Sequence, residues 1–576
     1  MYYSSGNYEA FARPQKPAGI DHKNAYIVGT GLAALTAACY LVRDAQMPGN
    51  HIHVFEKDPV PGGACDGANI PGLGYVMRGG REMDNHFEVM WDLFRSIPSI
   101  ETEGVSVLDE YYWLNKEDPN SSLKTDKKRV VIVGGGFGGL KLANKLRKSN
   151  YQVVLVDRNN YHQFPPLIYQ IASAGIEPSS ISFPFRKIFQ KRNDFYYRMA
   201  EVRSIFPEHK IIQTSIGKVS YDYLVLAAGA TTNFFGNKNV AEQAMPMKNV
   251  SEAMGLRNAL LDNFERALTC ATDKERQELL NVVIVGGGAT GVEIAGALSE
   301  MKNFVLPKDY PDLPTSLMNI YLIEAGPRLL AAMSNESSQK VEKYLRTMGV
   351  NVLLNKMVTD YKNHNVMLKD GSSIATRTFI WVSGVAAQPV GNLDPSHLGR
   401  GHRIVVDAYN QVQGLDNVFC IGDQCIMPDG DDKWPGGHPQ LAQVAIQQGN
   451  NLAKNLKRLA AGKEMKPFHY KNLGTMATVG RNRAVAEFSS MKFGGFLAWV
   501  LWLVVHLRSI LGVRNKMIVL FNWLWNYISY SQSLRMIIYA KKAKEVVDRE
   551  KRLASTHWGT DLLSEGSEDP NNEVEE

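Results

Sequence analysis

Three glycine-rich stretches have the residue types and spacing that can hold a pyrophosphate. They begin at Gly29, Gly134 and Gly286 and read GTGLAA, GGGFGG and GGGATG. In such a pattern the first glycine permits a tight turn, the second lets phosphates approach the backbone, and the third lets a helix pack closely on a strand. The free N–H groups and positive dipole end of that helix then favour the phosphates. The three stretches therefore predict dinucleotide-binding turns.

The second stretch has the most complete surroundings. It follows the apolar run VVIV, which is typical of a buried parallel strand, and it precedes an apolar helical pattern. The next apolar run ends in Asp157, eighteen residues after Gly139. A carboxylate there can accept hydrogen bonds from ribose hydroxyls. We therefore predict a cofactor site formed by Gly134, Gly136, Gly139 and Asp157.

The third stretch repeats the pattern with a later acid. Its residues are Gly286, Gly288, Gly291 and Glu324. A proline-rich insertion, residues 303–319, separates the helix from the strand that ends in the acid. Because an acid favours a free ribose 2′-hydroxyl and repels a 2′-phosphate, we expect NADH in preference to NADPH. Arg328 is the residue that could favour a 2′-phosphate, and we interpret it as a solvated loop residue.

Two further apolar strands end in small residues that suit the approach of a ligand. SYDYLVLAAGA ends beside Gly229, and LDNVFCIGDQC carries Gly422 and Asp423. With these segments, residues 125–544 resemble the type II NADH dehydrogenases, single-subunit NADH:quinone oxidoreductases of the two-dinucleotide-binding flavoprotein superfamily. The resemblance implies an α/β fold with two Rossmann-like domains, in which an NADH domain is inserted into a split FAD domain. It also implies that Gly229, Gly422 and Asp423 belong to the FAD site, whereas the residues alone leave open an aspartate that caps the next turn.

Two glutamines on one predicted helix suit a flat ligand that carries carbonyl oxygens. Gln443 and Gln447 are four residues apart and therefore share one helix face. The resemblance implies that Ala442, Gln443 and Gln447 form the quinone-site motif of the family. Without it, two helical glutamines are typical of a solvated face. The preceding Gly-His-Pro-Gln differs from the Pro-Thr expected before this motif, which leaves the local loop shape open.

One acid lies two residues after the last glycine of the NADH turn. From its position alone, Glu293 is a first-turn glutamate stabilised by the helix dipole. The resemblance implies a different role, proton transfer near the flavin and the quinone. The predicted catalytic residues are therefore Glu293, Gln443 and Gln447.

The C-terminal region has two apolar, aromatic segments beside basic residues. The first, residues 493–507, would be roughly 22 Å long as a helix, which is shorter than a bilayer requires. The second, residues 517–530, is rich in Trp and Tyr. The basic residues nearby are Arg508, Arg514, Lys516, Arg535, Lys541, Lys542 and Lys544. This pattern favours amphipathic helices that lie on a membrane surface, where a quinone is available. A buried core or dimer helix is the alternative.

Residues 1–124 do not fit the dehydrogenase pattern. Their notable residues are Gly29, Gly31, Glu56, the pair Gly62–Gly63 and Glu82 in RGGRE. Together they resemble the start of oleate hydratase, an FAD-dependent family in which the acid of that loop is catalytic. The resemblance stops before the elements that would complete its FAD domain and fatty-acid channel. We therefore predict a partial Rossmann segment joined by gene fusion, with a polar junction at residues 115–128, and no hydration of oleate.

Composition restricts the remaining possibilities. The net charge of +6 over 576 residues does not indicate a nucleic-acid partner. Five scattered cysteines without a CxxC pair argue against a disulfide framework and a metal site. The N-terminus lacks the apolar core of a signal peptide. We expect a peripheral protein on the cytoplasmic face of a bacterial inner membrane that uses menaquinone or ubiquinone, and a homodimer stays open.

The predicted domains follow from these segments. They are the hydratase-like segment (1–124), the first segment of the FAD domain (125–240), the NADH domain (241–390), the second segment of the FAD domain with the quinone motif (391–465), a membrane-associated region (466–552) and an acidic disordered tail (553–576). Two other functions stay open, a sulfide:quinone oxidoreductase and a non-catalytic FAD-binding membrane protein. The former works through cysteines near the flavin, whereas Cys420 and Cys425 lie in one short segment.

Overall fold

The chain divides between Ser122 and Leu123 into two units, and each is described by itself. The computed structural model describes residues 14–63, 67–70, 74–77, 88–100, 103–109, 123, 127–429, 433–489, 491–529 and 534–538. Several residues singled out from the sequence lie outside these ranges: Cys65, Glu82, Lys541, Lys542, Lys544 and the predicted acidic tail, residues 553–576.

An apolar run, a glycine turn and an apolar helix begin the N-terminal unit. Its elements are β1 (Ala25–Val28), α1 (Leu32–Arg43), β2 (Ile52–Phe55), β3 (Gly67–Ile70), β4 (Gly74–Met77) and α2 (Glu88–Ser96). β1 and β2 pair in parallel, and among the described residues of this unit no other strand joins them. As a result, Tyr26 and Val28 on β1 are 66% and 87% exposed. The predicted partial Rossmann segment is confirmed.

The larger unit starts inside the stretch predicted as a polar linker. Leu123 is buried, and its carbonyl accepts hydrogen bonds from the side chains of Arg129 and Gln152. The larger unit therefore begins at Leu123, before the predicted boundary at residue 125, because this leucine completes the core.

Valine-rich and isoleucine-rich runs form the first parallel sheet of the larger unit. The elements of this region are β5 (Lys128–Val133), α3 (Phe137–Lys145), β6 (Tyr151–Asp157), β7 (Tyr161–Gln163), α4 (Ile168–Ala172), β8 (Ser182–Pro184), α5 (Phe185–Phe189), β9 (Phe195–Met199), β10 (Val202–Phe206), β11 (Ile211–Thr214), β12 (Gly217–Ser220), β13 (Tyr223–Leu226) and β14 (Ala230–Thr232). β5 lies between β13 and β6, and β9 continues the sheet beyond β6. The central strands are buried on both faces, as parallel sheets covered by helices require.

A second parallel sheet with the same arrangement is inserted next. Its elements are α6 (Lys238–Gln243), β15 (Met245–Pro246), α7 (Val250–Thr269), α8 (Asp273–Leu280), β16 (Val282–Val285), α9 (Ala289–Glu300), α10 (Leu306–Asp309), β17 (Ile320–Ile323), α11 (Asn335–Thr347), β18 (Val350–Leu353), β19 (Val358–Lys362), β20 (Asn365–Leu368), β21 (Ser373–Ala375), β22 (Thr378–Trp381) and β23 (Val385–Ala387). β16 lies between β22 and β17, as β5 lies between β13 and β6.

The chain then returns to the first sheet. The returning elements are β24 (Ile404–Val405), β25 (Val418–Cys420), β26 (Cys425–Ile426) and α12 (Ala442–Ala460). β25 pairs in parallel with β13, with Leu224 opposite Val418. α12 packs against α3, where glycines allow a close approach: a Cβ added at Gly449 would lie 2.5 Å from the carbonyl oxygen of Gly138. The predicted split of the first domain around the inserted second domain is confirmed.

The C-terminal region combines a small sheet with two helices. Its elements are β27 (Thr475–Thr478), β28 (Ala484–Phe488), β29 (Met491–Gly494), α13 (Gly495–Ser509) and α14 (Val513–Ser529). The three strands are antiparallel, and the sequence pattern does not predict them. The two helices correspond to the predicted segments 493–507 and 517–530, with the second helix starting earlier. Among the described residues, no helix combines the length and the apolar character that crossing a bilayer demands.

Candidate functional site

The three glycines of the first sheet domain have separate physical roles. Gly134 has φ +101°, and a Cβ there would lie 2.4 Å from the carbonyl oxygen of Ala227. A Cβ at Gly139 would lie 1.9 Å from the carbonyl oxygen of Gly134, so no side chain fits between the helix and the turn. At Gly136, by contrast, a Cβ would meet nothing within 4 Å. Gly134 and Gly139 therefore shape the turn, and Gly136 opens it to a ligand.

The inserted domain repeats this division. Gly286 has φ +117°, and a Cβ there would lie 2.9 Å from the backbone of Ser383. A Cβ at Gly291 would lie 1.9 Å from the carbonyl oxygen of Gly286, whereas one at Gly288 would meet nothing within 4 Å. Both turns thus present one glycine to open space at the N-terminus of the following helix.

The acid that ends the second strand hydrogen-bonds to its own glycine turn. Asp157 Oδ2 accepts the backbone N–H of Gly135 at 2.6 Å, and burial raises the pKa of this carboxyl group against the effect of its N–H donors. Glu324 Oε2 accepts the N–H of Gly287 at 2.6 Å in the same way. Each acid therefore fixes the turn, while carboxylate lone pairs left over can accept ribose hydroxyls.

Arg328, predicted as a solvated loop residue, lies in a loop as expected but is half-buried rather than solvated. Its guanidinium donates to the carbonyl oxygens of Met333 and Ala331, both at 2.7 Å. These bonds hold the guanidinium within its own loop.

The end of β25 is hydrogen-bonded to α12, the helix that packs against α3. Gly422 has φ +76°, and its N–H donates to Gln448 Oε1 at 2.7 Å. Asp423 is partly accessible, and its carboxylate makes no hydrogen bond with the described residues. Burial raises the pKa of Asp423, and the positive charges of Lys248 and Arg403 oppose that effect. This acid is available to hydroxyl donors of a ligand.

The small residues after β13 are hydrogen-bonded to the turn that follows β25. The N–H of Ala228 donates to Gln424 Oε1 at 2.8 Å, and Gln424 Nε2 donates to the carbonyl oxygen of Gln388 at 2.9 Å. Gly229 follows with φ +74°, and a Cβ there would meet nothing within 4 Å. The sequence pattern does not single out Gln424 or Gln448, because a buried amide partner of a backbone group has no characteristic spacing.

The two predicted quinone-site glutamines bind a backbone segment. Gln443 accepts the N–H of Leu473 and donates to the carbonyl oxygen of Gly474, both at 2.9 Å. Gln447 accepts the N–H of Lys471 at 3.0 Å and donates to its carbonyl oxygen at 2.8 Å. The shared helix face is therefore the face that holds residues 471–474, and each amide retains one N–H.

The same segment continues to Glu293. Residues 471–474 lead into β27, whose last residue, Thr478, directs its N–H at the Glu293 carboxyl group. Glu293 lies on the buried face of α9, and burial raises its pKa to about 8. A glutamate with this pKa is largely neutral at pH 7 and can exchange a proton in that range. Glu293 does lie near the first turn of α9, and its burial is a feature that the helix position alone does not predict.

Three families match parts of the sequence. Residues 128–449 match pyridine nucleotide-disulphide oxidoreductase, residues 472–529 match the NDH2 C-terminal domain, and residues 22–148 match the MCRA family. The first and last matches overlap at residues 128–148, which belong to the larger unit.

Different relatives match the longer and the shorter part of the chain. The chain is 33% identical over 443 residues to the type II NADH:quinone oxidoreductase NdhA of Mycobacterium tuberculosis. This match covers 73% of this chain and 93% of that protein. The oleate hydratase of Streptococcus pyogenes is 66% identical over 122 residues, 21% of each chain. The solved structure of NDH2 from Plasmodium falciparum in complex with NADH has the same fold, with a TM-score of 0.66 at 22% identity over 72% of this chain and 100% of that chain.

Proposed function

Because the chain belongs to the type II NADH:quinone oxidoreductases, we propose that its larger unit transfers two electrons from NADH to a membrane quinone. The observation that carries this proposal is the pair of equivalent glycine turns on two parallel sheets, one inserted into the other. Two such turns provide one site for FAD and one for NADH. The described elements provide no membrane-spanning bundle, and we propose a transfer that does not pump protons.

The first sheet domain fits FAD. Gly136 leaves open space where a pyrophosphate can approach the helix N-terminus, and Asp157 closes the turn. Gly229 and Gly422, both at positive φ, bring backbone close to the same cleft, and the unpaired carboxylate of Asp423 can accept ribityl hydroxyls. FAD, when bound, supplies the two-electron redox chemistry, and these residues position it.

The inserted domain fits NADH. Gly288 has open space at its Cβ position, and Glu324 lies at the end of the second strand of this sheet. A ribose 2′-hydroxyl can donate to Glu324, whereas a 2′-phosphate would face a like charge. Arg328 is occupied by backbone carbonyls of its own loop, which further favours NADH over NADPH.

We propose that residues 471–474 form one wall of the quinone site. Gln443 and Gln447 hold that segment against α12, and each amide has one N–H left for a quinone carbonyl. The segment leads directly to Thr478 and therefore to Glu293, which we propose exchanges the proton that quinone reduction consumes. Cys420 and Cys425 are fully buried, so the described site does not favour sulfide chemistry.

The outer faces of α13 and α14 support attachment to a membrane surface. Phe496, Phe521, Leu524, Trp525 and Ile528 are all exposed, the last at 70%. Arg508 near the end of α13 and Arg514 near the start of α14 are exposed and can meet anionic headgroups. Arg535 instead pairs with Asp309. We propose that these helices lie on the cytoplasmic face of the inner membrane, where NADH is available.

The enzymatic proposal is tested by steady-state NADH oxidation with a short-chain quinone. We expect one FAD per chain and NADH oxidation that depends on the quinone. Gln447→Leu should raise KM for the quinone without changing KM for NADH, whereas Asn451→Leu, one turn further along the same helix, should change neither. Equal NADH oxidation with and without quinone would contradict the proposal.

The membrane proposal is tested with charged substitutions, because truncation would remove the buried residues of α13 from the core. Phe521→Glu with Trp525→Glu should release the protein from anionic vesicles, whereas Met357→Glu on the inserted domain should not. A second copy of the chain is the alternative partner that could cover this apolar face. It would appear as a mass twice that of one chain, lost in the double variant while vesicle binding stays unchanged.

A further inference from the structure

In each glycine turn, the residue between the first two glycines is held through both of its backbone polar groups. In the inserted domain this residue is Gly287. Its N–H donates to Glu324 Oε2 at 2.6 Å, and its carbonyl oxygen accepts the N–H of Leu330 at 2.8 Å. The acid therefore holds one side of the turn, and a backbone donor six residues after the acid holds the other.

The turn of the N-terminal unit has the same pair of bonds. The N–H of Thr30 donates to Glu56 Oε2 at 2.8 Å, and its carbonyl oxygen accepts the N–H of Gly62 at 3.0 Å. Gly62 again lies six residues after the acid. A backbone donor at this spacing is thus common to two of the three turns.

The glycine turn of the first sheet domain, residues 134–139, uses a side chain instead. The N–H of Gly135 donates to Asp157 Oδ2 at 2.6 Å, and its carbonyl oxygen is bonded to His162 Nδ1 at 2.9 Å. Because a carbonyl oxygen only accepts, Nδ1 carries the proton in this bond. Burial lowers the pKa of His162, so the imidazole is neutral at pH 7 and donates through Nδ1.

Packing fixes the imidazole in this position. His162 is 4% exposed and lies on β7, opposite Phe183 of β8. Its ring meets the ring of Phe137 edge to face, at a centroid distance of 5.5 Å. On the other side of the turn, a Cβ added at Gly135 would lie 2.1 Å from the ring of Phe185. The Gly135 carbonyl is therefore held between two packed aromatic groups.

The bond from His162 determines where the next N–H points. In a trans peptide the carbonyl of Gly135 and the N–H of Gly136 point in opposite directions, and the described chain contains no cis peptide. The N–H of Gly136 makes no hydrogen bond with the described residues, and a Cβ there would meet nothing within 4 Å. This N–H is therefore directed away from His162 and is free for an anionic oxygen at the helix N-terminus.

We infer that His162 is a positioning residue for FAD, and that its Nδ1–H fixes the Gly135–Gly136 peptide so that the Gly136 N–H faces the pyrophosphate. This inference rests on the proposed assignment of the first sheet domain to FAD. Loss of the donor should let the peptide rotate and should weaken FAD binding. The NADH turn should be unaffected, because a backbone N–H holds its equivalent carbonyl.

The test separates the N–H donor of His162 from its ring. FAD release from the full-length holoprotein is followed on dilution, by the rise in flavin fluorescence. His162→Phe retains a ring without the donor and should weaken FAD binding by about tenfold to a hundredfold. His162→Asn loses the ring, but its Nδ2–H can replace Nδ1–H, so it should restore most of the affinity even though urea unfolds it more easily.

His506→Phe is the matched control. His506 is also a buried histidine whose Nδ1 is bonded to a backbone carbonyl, that of Trp502 at 2.7 Å, but this carbonyl belongs to α13. The control should leave FAD affinity unchanged. KM for NADH, measured with excess FAD, should be unchanged in all three variants.

Wild-type FAD affinity in His162→Phe would overturn the inference, and so would a loss in His162→Asn as large as that in His162→Phe. If His162→Phe does not fold, His162→Leu provides the comparison, because leucine is close to asparagine in size and has no donor. Equal FAD affinity in the leucine and asparagine variants would then contradict the role of the N–H. A wild-type protein that binds no FAD would instead refute the proposed function.

Discussion

The division of roles between Gly288 and Gly291 predicts opposite effects from the same small substitution. Gly288→Ala adds a Cβ that meets nothing within 4 Å, on backbone with φ −72° that alanine readily adopts. The free energy of unfolding should therefore change by less than about 1 kcal/mol. The methyl group would, however, occupy the space through which a pyrophosphate approaches the backbone.

The cost to NADH follows from the contact that is lost. A hydrogen bond to a charged group is worth about 1.5–3 kcal/mol, which corresponds to roughly a tenfold to hundredfold fall in kcat/KM. Gly288→Ala should therefore show this fall for NADH with normal FAD content, since the FAD turn belongs to the other sheet. Steady-state kinetics at varied NADH, with flavin absorbance as the internal control, measures both quantities.

Gly291→Ala should behave differently. Its Cβ would lie 1.9 Å from the carbonyl oxygen of Gly286, so α9 must move away from the turn. We expect a loss of several kcal/mol in thermal or urea unfolding, in the range of other overpacked core sites. Wild-type kcat/KM in Gly288→Ala, or wild-type stability in Gly291→Ala, would refute this interpretation of the turn.

Four further predictions use independent measurements. NADH should exceed NADPH in kcat/KM by at least about tenfold, because a polar contact or its loss is worth about 1–3 kcal/mol, and Glu324→Gln should reduce the ratio; equal values for both coenzymes in the wild type would exclude this role. Since the pKa of Glu293 rises from 4.5 to about 8 on folding, this group should make unfolding easier as pH rises across that range, by at most about 1.4 kcal/mol per pH unit, and Glu293→Gln should remove that slope from pH-dependent denaturation curves. Deletion of the residues before Leu123 should leave NADH:quinone turnover within about twofold and FAD at one per chain, and neither form should convert oleate to its hydroxy acid; two flavins in the full chain would contradict this. Glu487→Gln should cost about 1–2 kcal/mol in unfolding, because Glu487 accepts hydrogen bonds from the Ser334 N–H and from the hydroxyl groups of Ser334 and Ser337 at the start of α11.

The sheets could be predicted because their signals are local. Valine-rich runs, glycine turns and a terminal acid lie within about 30 residues of one another in the first sheet and about 40 in the inserted one, so strand, turn and helix follow from the sequence alone. The return of β25 to β13 spans a gap from Leu226 to Val418, and only the resemblance to a known family predicted it. The antiparallel sheet β27–β29 was not predicted, since its short strands carry no regular alternation.

The candidate site, too, could be predicted only where its signal is local in the sequence. Gln443 and Gln447 were placed on one face correctly by spacing, but spacing does not reveal that the face is covered by residues 471–474. The burial of Glu293 depends on the packing of α9 against β27, which comes about 180 residues later in the chain. A pKa near 8 is a property of that distant packing and cannot be obtained from a first-turn position.

The N-terminal unit shows which feature of the glycine-turn pattern identifies a working site. Glu56 accepts the N–H of Thr30 at 2.8 Å, just as the acids of the other two turns accept a backbone N–H. The acid and its turn therefore form even though, among the described residues, β2 is the one strand that pairs with β1. The three turns differ at their first glycine. A Cβ at Gly134 or Gly286 would collide with backbone that directly follows the neighbouring strand, β13 or β22. A Cβ at Gly29 would meet nothing within 4 Å.

In the larger unit, backbone after a neighbouring strand fills the equivalent space, and the described residues of the N-terminal unit do not provide such a strand. In the larger unit, β13 and β22 lie beside the glycine strands and lead into residues that line the cleft. Without such a strand, β1 exposes Val28 to solvent, and the flavin end of a dinucleotide would have no wall. A glycine fingerprint with its acid is thus evidence of a local turn, and the strand on the far side of the first glycine is what makes the turn belong to a complete dinucleotide site.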